Sequence, residues 1–216
     1  MFTKYGYTTI GITTIISFLL IVIGIFSNNN ILKISLFTIS IIIILFTLYF
    51  FRDPNRKPPV REDVVVSPAD GRVLFVKKVF DNKFIGGEAN QISIFMSPLN
   101  VHVNRIPVSG MVDYLEYFEG RFVAAFEDKA SELNERTEIG ITTTNGKIFF
   151  TQVAGFVARR IVNILRVGEK VKIGKRFGMI KFGSRVDVVA PLNWMPKVKK
   201  DDSVTAGETI LFELIN

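Results

Sequence analysis

Apolar residues fill two runs near the start of the chain, 7–27 and 31–51, and they do so on every side of a helix rather than along one stripe. Each run is close to the ~20 residues needed to cross a bilayer core. Asn28-Asn29-Asn30 between them leaves room only for a turn, so the pattern predicts two antiparallel membrane-spanning helices. A signal peptide fits less well, because no small-residue cleavage site precedes Asn28 and a second span follows. A buried hairpin in a soluble core is the competing reading, and apolarity on all faces argues against it. Beyond residue 63 the pattern changes to short β-branched runs bounded by Gly, Pro, Asn or Asp: 64–66, 73–79, 91–96, 139–143, 147–153 and 185–190. Asn145-Gly146 predicts a tight hairpin with φ > 0 at both residues. Residues 122–135 are read as holding a short helix.

The resulting expectation is a mostly β (α+β) protein with a transmembrane helical hairpin over 1–51, a linker over 52–63 and a compact domain over 64–216. Two C-terminal stretches resemble each other: Val171 and Val204 each stand three residues before a glycine, Gly174 and Gly207, and an apolar strand follows each. That spacing, with Ser67-Pro68-Ala69-Asp70-Gly71-Arg72-Val73 as an opening strand, matches the β-sandwich of lipoyl and biotinyl carrier domains. The likeness is architectural and assigns no function by itself.

Charge is distributed as sharply as hydrophobicity. Residues 1–50 hold Lys4 and Lys33 and no acidic residue, while the chain as a whole has a formal net charge of +7. Arg52, Arg56, Lys57 and Arg61 follow the second span, so the positive-inside rule predicts both termini in the cytoplasm and the domain against the inner face of the cytoplasmic membrane. The prolines of 54–59 stop the helix and keep the domain near the headgroups. A basic protein so anchored reads as meeting anionic lipid, with no nucleic-acid signature. With no cysteine and one histidine, neither a thiolate site nor a multi-histidine metal site is available within one chain, and no metal is expected.

The candidate chemistry lies in three islands. Ser67-Pro68-Ala69-Asp70-Gly71 offers a carboxylate in a turn. Ser97-Pro98-Leu99-Asn100-Val101-His102-Val103-Asn104-Arg105-Ile106-Pro107 offers the one histidine among polar and cationic neighbours. Phe182-Gly183-Ser184-Arg185 offers a hydroxyl beside a glycine carbonyl. Glycine lets a nucleophile approach its carbonyl, so Ser184 Oγ can attack it, shift the acyl group from nitrogen to oxygen and, after elimination and hydrolysis, leave a pyruvoyl group. Taken singly, each island has a plain alternative: a turn, a core or surface histidine, a Gly-Ser turn between strands. Together they supply a hydroxyl, a base and an acid to orient the base.

With Asn134-Glu135-Arg136 and Gln152-Val153-Ala154-Gly155-Phe156-Val157-Ala158-Arg159-Arg160-Ile161, these islands resemble the short form of the phosphatidylserine decarboxylase proenzymes of some bacteria and archaea, over nearly all of 51–216. The resemblance implies self-cleavage between Gly183 and Ser184 into a β chain (1–183) and an α chain (184–216) that stay together as a heterodimer or a higher oligomer. It implies a covalent pyruvoyl cofactor derived from Ser184, a Schiff base with phosphatidylserine, and release of CO2 and phosphatidylethanolamine. It also implies an Asp70–His102–Ser184 catalytic set. His102 matches the first of two histidines found in longer forms, and Arg105 stands where the second would be. Arg105 and Arg185 are candidates to hold the phosphate or carboxylate, against the alternative of solvated surface arginines. An imidazole suits proton donation near neutral pH. Three other readings stay open: a tethered carrier domain, a serine hydrolase that would lack the Gly-x-Ser-x-Gly elbow, and a soluble pyruvoyl decarboxylase of a free amino acid.

Overall fold

Two helices carry the apolar runs, α1 (Tyr7–Phe26) and α2 (Asn30–Phe50), in a computed structural model that describes residues 1–120, 133–155, 160–181 and 184–215. Both are long and apolar enough to cross a membrane, with a mean hydropathy of 2.5 over each span. The asparagine turn works as a cap: Asn29 Oδ1 accepts from the N–H groups of Ile31 (2.9 Å) and Leu32 (3.2 Å) at the start of α2. Buried Ser17 and Ser40 each donate to the other's carbonyl, at 3.4 and 3.2 Å, and Gly24 lets the Phe37 ring approach so closely that a Cβ would lie 2.8 Å from it. Small residues and reciprocal hydrogen bonds of this kind join helices where surrounding apolarity provides no drive to associate. Residues Met1–Pro54 form one compact unit and Asn55–Asn216 a second. Within the linker, Asp53 N–H donates to Met1 O, whereas Arg56 binds Asp70 and Lys57 N–H binds Glu208.

Among the described residues the second unit shows fourteen strands, numbered in chain order. An eight-stranded antiparallel sheet runs β13 (Ser203–Val204), β2 (Gly71–Asp81), β3 (Gly87–Met96), β11 (Ser184–Pro191), β7 (Gly146–Ala154), β6 (Arg136–Thr143), β5 (Gly110–Phe118), β9 (Lys170–Val171). Two three-stranded sheets accompany it: β1 (Val64–Val66), β14 (Ile210–Leu214), β12 (Trp194–Pro196), and β4 (Val103–Arg105), β10 (Arg176–Ile180), β8 (Ile161–Asn163). All three contribute to one core, which includes Val65, Ile94, Phe150, Phe177, Val188 and Phe212. The expected mostly β sandwich with an N-terminal helical pair is therefore present. The helix expected over 122–135 lies outside the described residues up to 132, as do 156–159 of the long motif and Phe182-Gly183.

The two similar C-terminal stretches form the two edges of the large sheet, and each belongs to a larger repeat. Pro68-Ala69-Asp70-Gly71-Arg72-Val73 and Pro107-Val108-Ser109-Gly110-Met111-Val112 open β2 and β5. Gly71 pairs with Val204 of β13 and Gly110 with Val171 of β9. The ladder then shifts register at Val73/Phe75 and at Val112/Tyr114, the same offset in each copy. Gly207 (φ +76°) and Gly174 (φ +75°) close the matching turns in the left-handed region. The N–H before each is capped from the repeat, Ala206 by Asp70 Oδ1 at 2.7 Å and Ile173 by Ser109 Oγ at 3.0 Å.

One detail differs from expectation. The hairpin between β6 and β7 exists, but Thr143 pairs with Gly146, so the two-residue loop is Thr144-Asn145. Only Gly146 (φ +119°) has positive φ there. Thr143 Oγ1 substitutes for turn geometry, accepting from Asn145 N–H at 3.0 Å and donating to Gly146 O at 2.8 Å.

Alternation along β11 separates two environments. Val186, Val188 and Ala190 enter the core, on the face that Ser184 shares. Arg185, Asp187 and Val189 take the other face, where Arg185 Nε and Nη2 bind Asp187 at 2.7 and 3.1 Å. Glu138 lies on the same outer face, bound by Lys83 (2.6 Å) and Arg136 (2.9 Å). Burial would raise its pKa, but those two cations outweigh burial and hold its carboxyl below the ordinary range.

Two outcomes are expected. A Cβ at Gly71 would lie 2.1 Å from Phe95 O and one at Gly110 2.3 Å from Thr142 O, so Gly71→Ala and Gly110→Ala should each cost about 1–3 kcal/mol in urea unfolding. Because the folded-state pKa of Glu138 is depressed, its contribution is present above the unfolded value of about 4.3 and disappears as pH falls through the lower folded value. Glu138→Gln should therefore be less stable than wild type at pH 7, with the difference in unfolding midpoint closing towards pH 3.

Candidate active site

Ser184 is the first residue of β11, and its ladder partners are Met96 at the end of β3 and Ala154 at the end of β7. It is fully buried. Its Oγ donates to Met96 Sδ at 3.2 Å, a soft and weak acceptor. The same sulfur lies 3.8 Å from Asn104 Nδ2, which is also 3.4 Å from Pro68 O. Residues from all three islands thus meet: Pro68 from the first, Asn104 from the second and Ser184 from the third. Arg105 N–H ties the first two again, donating to Pro68 O at 2.9 Å.

Behind Asn104 stands a row of amides that starts buried and ends at the surface. Gln152 Nε2 donates to Asn104 Oδ1 at 2.8 Å, and Asn163 Nδ2 donates to Gln152 Oε1 at 3.3 Å. Gly178 makes room for this row, since a Cβ there would lie 3.2 Å from Gln152 Nε2 and 2.1 Å from Val162 O. At its outer end Asn163 lines a surface cavity of about 260 Å3 with Leu115, Tyr117, Thr137, Ile161 and Leu165. On the other side of Ser184, Ala154 is clamped: Asn134 Nδ2 donates to its carbonyl at 2.7 Å, and its N–H donates to Glu135 O at 2.9 Å. The Glu135 carboxylate in turn accepts from Ile161 N–H at 3.3 Å. The Asn134-Glu135 segment is therefore a brace for the strand that receives Ser184.

His102 is fully buried two residues before Asn104. Its Nδ1 lies 2.9 Å from Asn100 O. A carbonyl only accepts, so Nδ1 carries the proton and Nε2 is the basic nitrogen of the neutral ring. Asp70 turns its two oxygens to Arg56 Nη2 (2.8 Å) and Ala206 N–H (2.7 Å). Arg105, 4% exposed, is no surface arginine: Nη1 donates to Gly174 O at 2.9 Å, and a Cβ on Gly207 would meet its Cδ at 2.9 Å. It is wedged between the two repeated glycine turns. Arg185 is not brought to Ser184's face; it lies buried on the opposite face against Asp187 and Phe75, 4.9 Å from the ring centroid. Gly183 lies outside the described residues.

Sequence reasoning passed over Met96, Gln152 and Asn163 as working parts. A signal was present for Gln152: it shares the inward register of β7 with Ile148, Phe150 and Ala154, where an amide is out of place unless it is bonded. Also missed was a pair of cations. Lys181 N–H donates to Arg160 O at 3.2 Å, one step beyond the Ile180–Ile161 pair of β10 and β8. Burial lowers the Lys181 pKa, and Arg160 lowers it further.

Comparison with known proteins shows the family of the chain. Residues 43–212 match the model of the phosphatidylserine decarboxylase family. A phosphatidylserine decarboxylase proenzyme of Chlorobium limicola is 50% identical over 212 residues, covering 98% of this chain and 99% of the relative. That of Prosthecochloris aestuarii is 44% identical over 216 residues, covering 100% and 99%. A third, from Chlorobium phaeovibrioides, is 55% identical over 173 residues, 80% of this chain and 78% of the relative. The chain belongs to the phosphatidylserine decarboxylase family.

Proposed function

We propose that this protein is a membrane-bound phosphatidylserine decarboxylase that cuts its own backbone before Ser184 and turns that serine into a pyruvoyl group. The observation that carries the reading is the setting of Ser184: a buried hydroxyl at the head of a central strand, bonded to the Met96 thioether that the Asn104 amide of the second island also contacts, with Pro68 O of the first island on that same amide. Its relatives are named proenzymes, which fits a chain that must be processed. In the maturation step Ser184 Oγ bonds to the carbonyl carbon of residue 183 as its proton passes to a base. The C–N bond then breaks, the nitrogen takes a proton, and an ester remains. Loss of the Ser184 α-proton and breakage of Cβ–Oγ free a carboxylate at 183, and water exchanges for ammonia to leave a ketone at 184. That ketone, joined to the substrate amine, supplies an electron sink for the bond to the departing CO2.

The remaining parts are this chain's own. His102 Nε2 is the candidate proton carrier, oriented by Asn100 O. Asp70 is the candidate acid, oriented by Arg56 and the Ala206 N–H. Arg105 acts by holding the Gly174 and Gly207 turns in place. Lys181, three residues before Ser184, and Arg160, whose carbonyl the Lys181 N–H meets, are better candidates than Arg185 to meet an anionic headgroup. The helical pair would hold the domain at the inner leaflet, with Lys4 and the 52–61 cluster on the cytoplasmic side. The 1–183 and 184–216 pieces would remain together as one enzyme.

Intact mass spectrometry tests the maturation directly. Wild type should yield two chains, and Ser184→Ala one full-length chain without lipid turnover; two chains from that variant would end the proposal. Cyanoborohydride with phosphatidylserine should add mass to the 184–216 piece. Arg185→Met breaks a buried ion pair and should cost about 3–5 kcal/mol of stability, yet change KM for lipid vesicles less than twofold in the folded enzyme. Lys181→Ala should raise that KM about 10- to 100-fold, since the loss of a charge-assisted contact costs about 1.5–3 kcal/mol.

A further inference from the structure

The two edge segments of the large sheet keep the same geometry through the turns that lead into them. Glu169 N–H donates to Arg166 O at 3.1 Å, and Asp202 N–H to Lys199 O at 3.2 Å. Gly168 and Asp201, both at positive φ (+84° and +71°), donate to Val112 O and Val73 O at 2.7 and 2.8 Å. Val112 N–H and Val73 N–H return bonds to Glu169 O and Asp202 O, at 3.0 and 2.9 Å. Further on, Lys175 N–H donates to Lys172 O and Glu208 N–H to Thr205 O, both at 3.2 Å. One constant offset therefore matches 164–175 with 197–208, and what differs between them is surface chemistry. Ile164 and Val167, 47% and 61% exposed, stand where the other segment has Lys197 and Lys200. Lys170, Lys172 and Lys175 stand where it has Ser203, Thr205 and Glu208. Segment 164–175 thus holds four cations and one acid, against three of each in 197–208. All four cations are exposed, and among the described residues none joins an ion pair, whereas Lys197 binds Glu213 at 2.7 Å.

Neither packing nor edge protection accounts for this difference. The core is served in both segments by alternate residues, Leu165 and Val171 in one and Val198 and Val204 in the other, leaving Ile164 and Val167 outside it. Both segments sit at an edge of the same sheet, yet only one puts lysines there. We propose that 164–175 is a docking loop for an anionic lipid surface. Ile164 and Val167 leave water for the headgroup layer, and Arg166, Lys170, Lys172 and Lys175 meet lipid phosphates. A polyanion in water would satisfy the cations alone, and the aliphatic pair selects the lipid. This rests on the membrane-bound reading above and deepens it, because it gives the second unit a reversible lipid contact of its own. Ile164 also lies between Asn163 and Leu165 of the 260 Å3 surface cavity, whose lining includes exposed Tyr117, so docking brings the mouth of that cavity to the headgroups.

The chain has no cysteine, so a single one placed at 167, or at the matching position 200, can carry an environment-sensitive dye in the full-length protein. Val167→Cys and Lys200→Cys are reconstituted into vesicles of phosphatidylcholine, alone or mixed with phosphatidylglycerol, which adds charge but no amine to react. A spin-labelled lipid serves as quencher, and the readout needs neither scission nor turnover. The dye at 167 should be quenched several-fold more strongly in the anionic vesicles than in the neutral ones, and high salt should abolish the difference. The dye at 200 should behave alike in both. Adding Arg166→Gln to Val167→Cys should lower the ratio of docked to undocked loop about fivefold, the effect of one cation near a charged surface. Quenching at 167 no stronger than at 200, or equal in neutral and anionic vesicles, would overturn the proposal. So would a dye at 167 that ignores the anionic vesicles but responds to a soluble acidic polypeptide, which would put a protein partner in place of lipid. Protein that fails to float with either kind of vesicle would instead overturn the membrane-bound reading beneath it.

Discussion

Ser184 begins a strand whose backbone is bonded on both sides, to the strand of Met96 and to the strand of Ala154. That double pairing fixes the serine to within the tolerance of a β-ladder, and alternation then decides what can reach it. Residues in Ser184's register face the core, so the hydroxyl enters a space already filled by apolar side chains and can be served only by polar groups delivered there deliberately. The amides of Asn104, Gln152 and Asn163 form a hydrogen-bonded row that ends at Met96, the residue the Ser184 hydroxyl contacts. The neighbouring residue, one step along, belongs to a different environment and a different ion pair.

Two short segments of the domain repeat each other's geometry, with different capping chemistry. Pro68–Gly71 and Pro107–Gly110 open equivalent strands and cap equivalent glycine turns, but the cap is a carboxylate in one copy and a hydroxyl in the other. Asp70 therefore has a backbone to hold regardless of any part in chemistry. Arg105, from the segment leading into the second copy, reaches across to the point where both turns meet. The polar segments at the site are thus inserted into a frame whose regular positions are occupied by the repeat.

Much of this was legible in the chain. The helical pair announced itself by length and all-round apolarity, and strands such as 64–66 and 91–96 by β-branched runs between turn residues. The three islands were found because Ser184, His102 and Asp70 belong to chemically loaded types. What escaped detection depends on partners distant in sequence. Met96 reads as a core residue until Ser184 is placed opposite it. Gln152 reads as one polar residue in a strand until its inward register is known. Arg185 follows the same logic: it adjoins Ser184 in sequence, but strand alternation places it on the opposite face, against Asp187. The Asn145-Gly146 signal located its hairpin but not the loop residues, because Thr143 supplies the hydrogen bonds that a fully positive-φ turn would otherwise replace.

The stretch after residue 183 is not an appendage. It supplies β11 in the interior of the large sheet, β13 at that sheet's edge, and β12 and β14 of a smaller sheet. Severing the covalent thread just ahead of Ser184 would leave this stretch woven through two sheets, with neither fragment able to diffuse away without undoing the fold. Continuity across that point would then be maintained by the weave rather than by the bond.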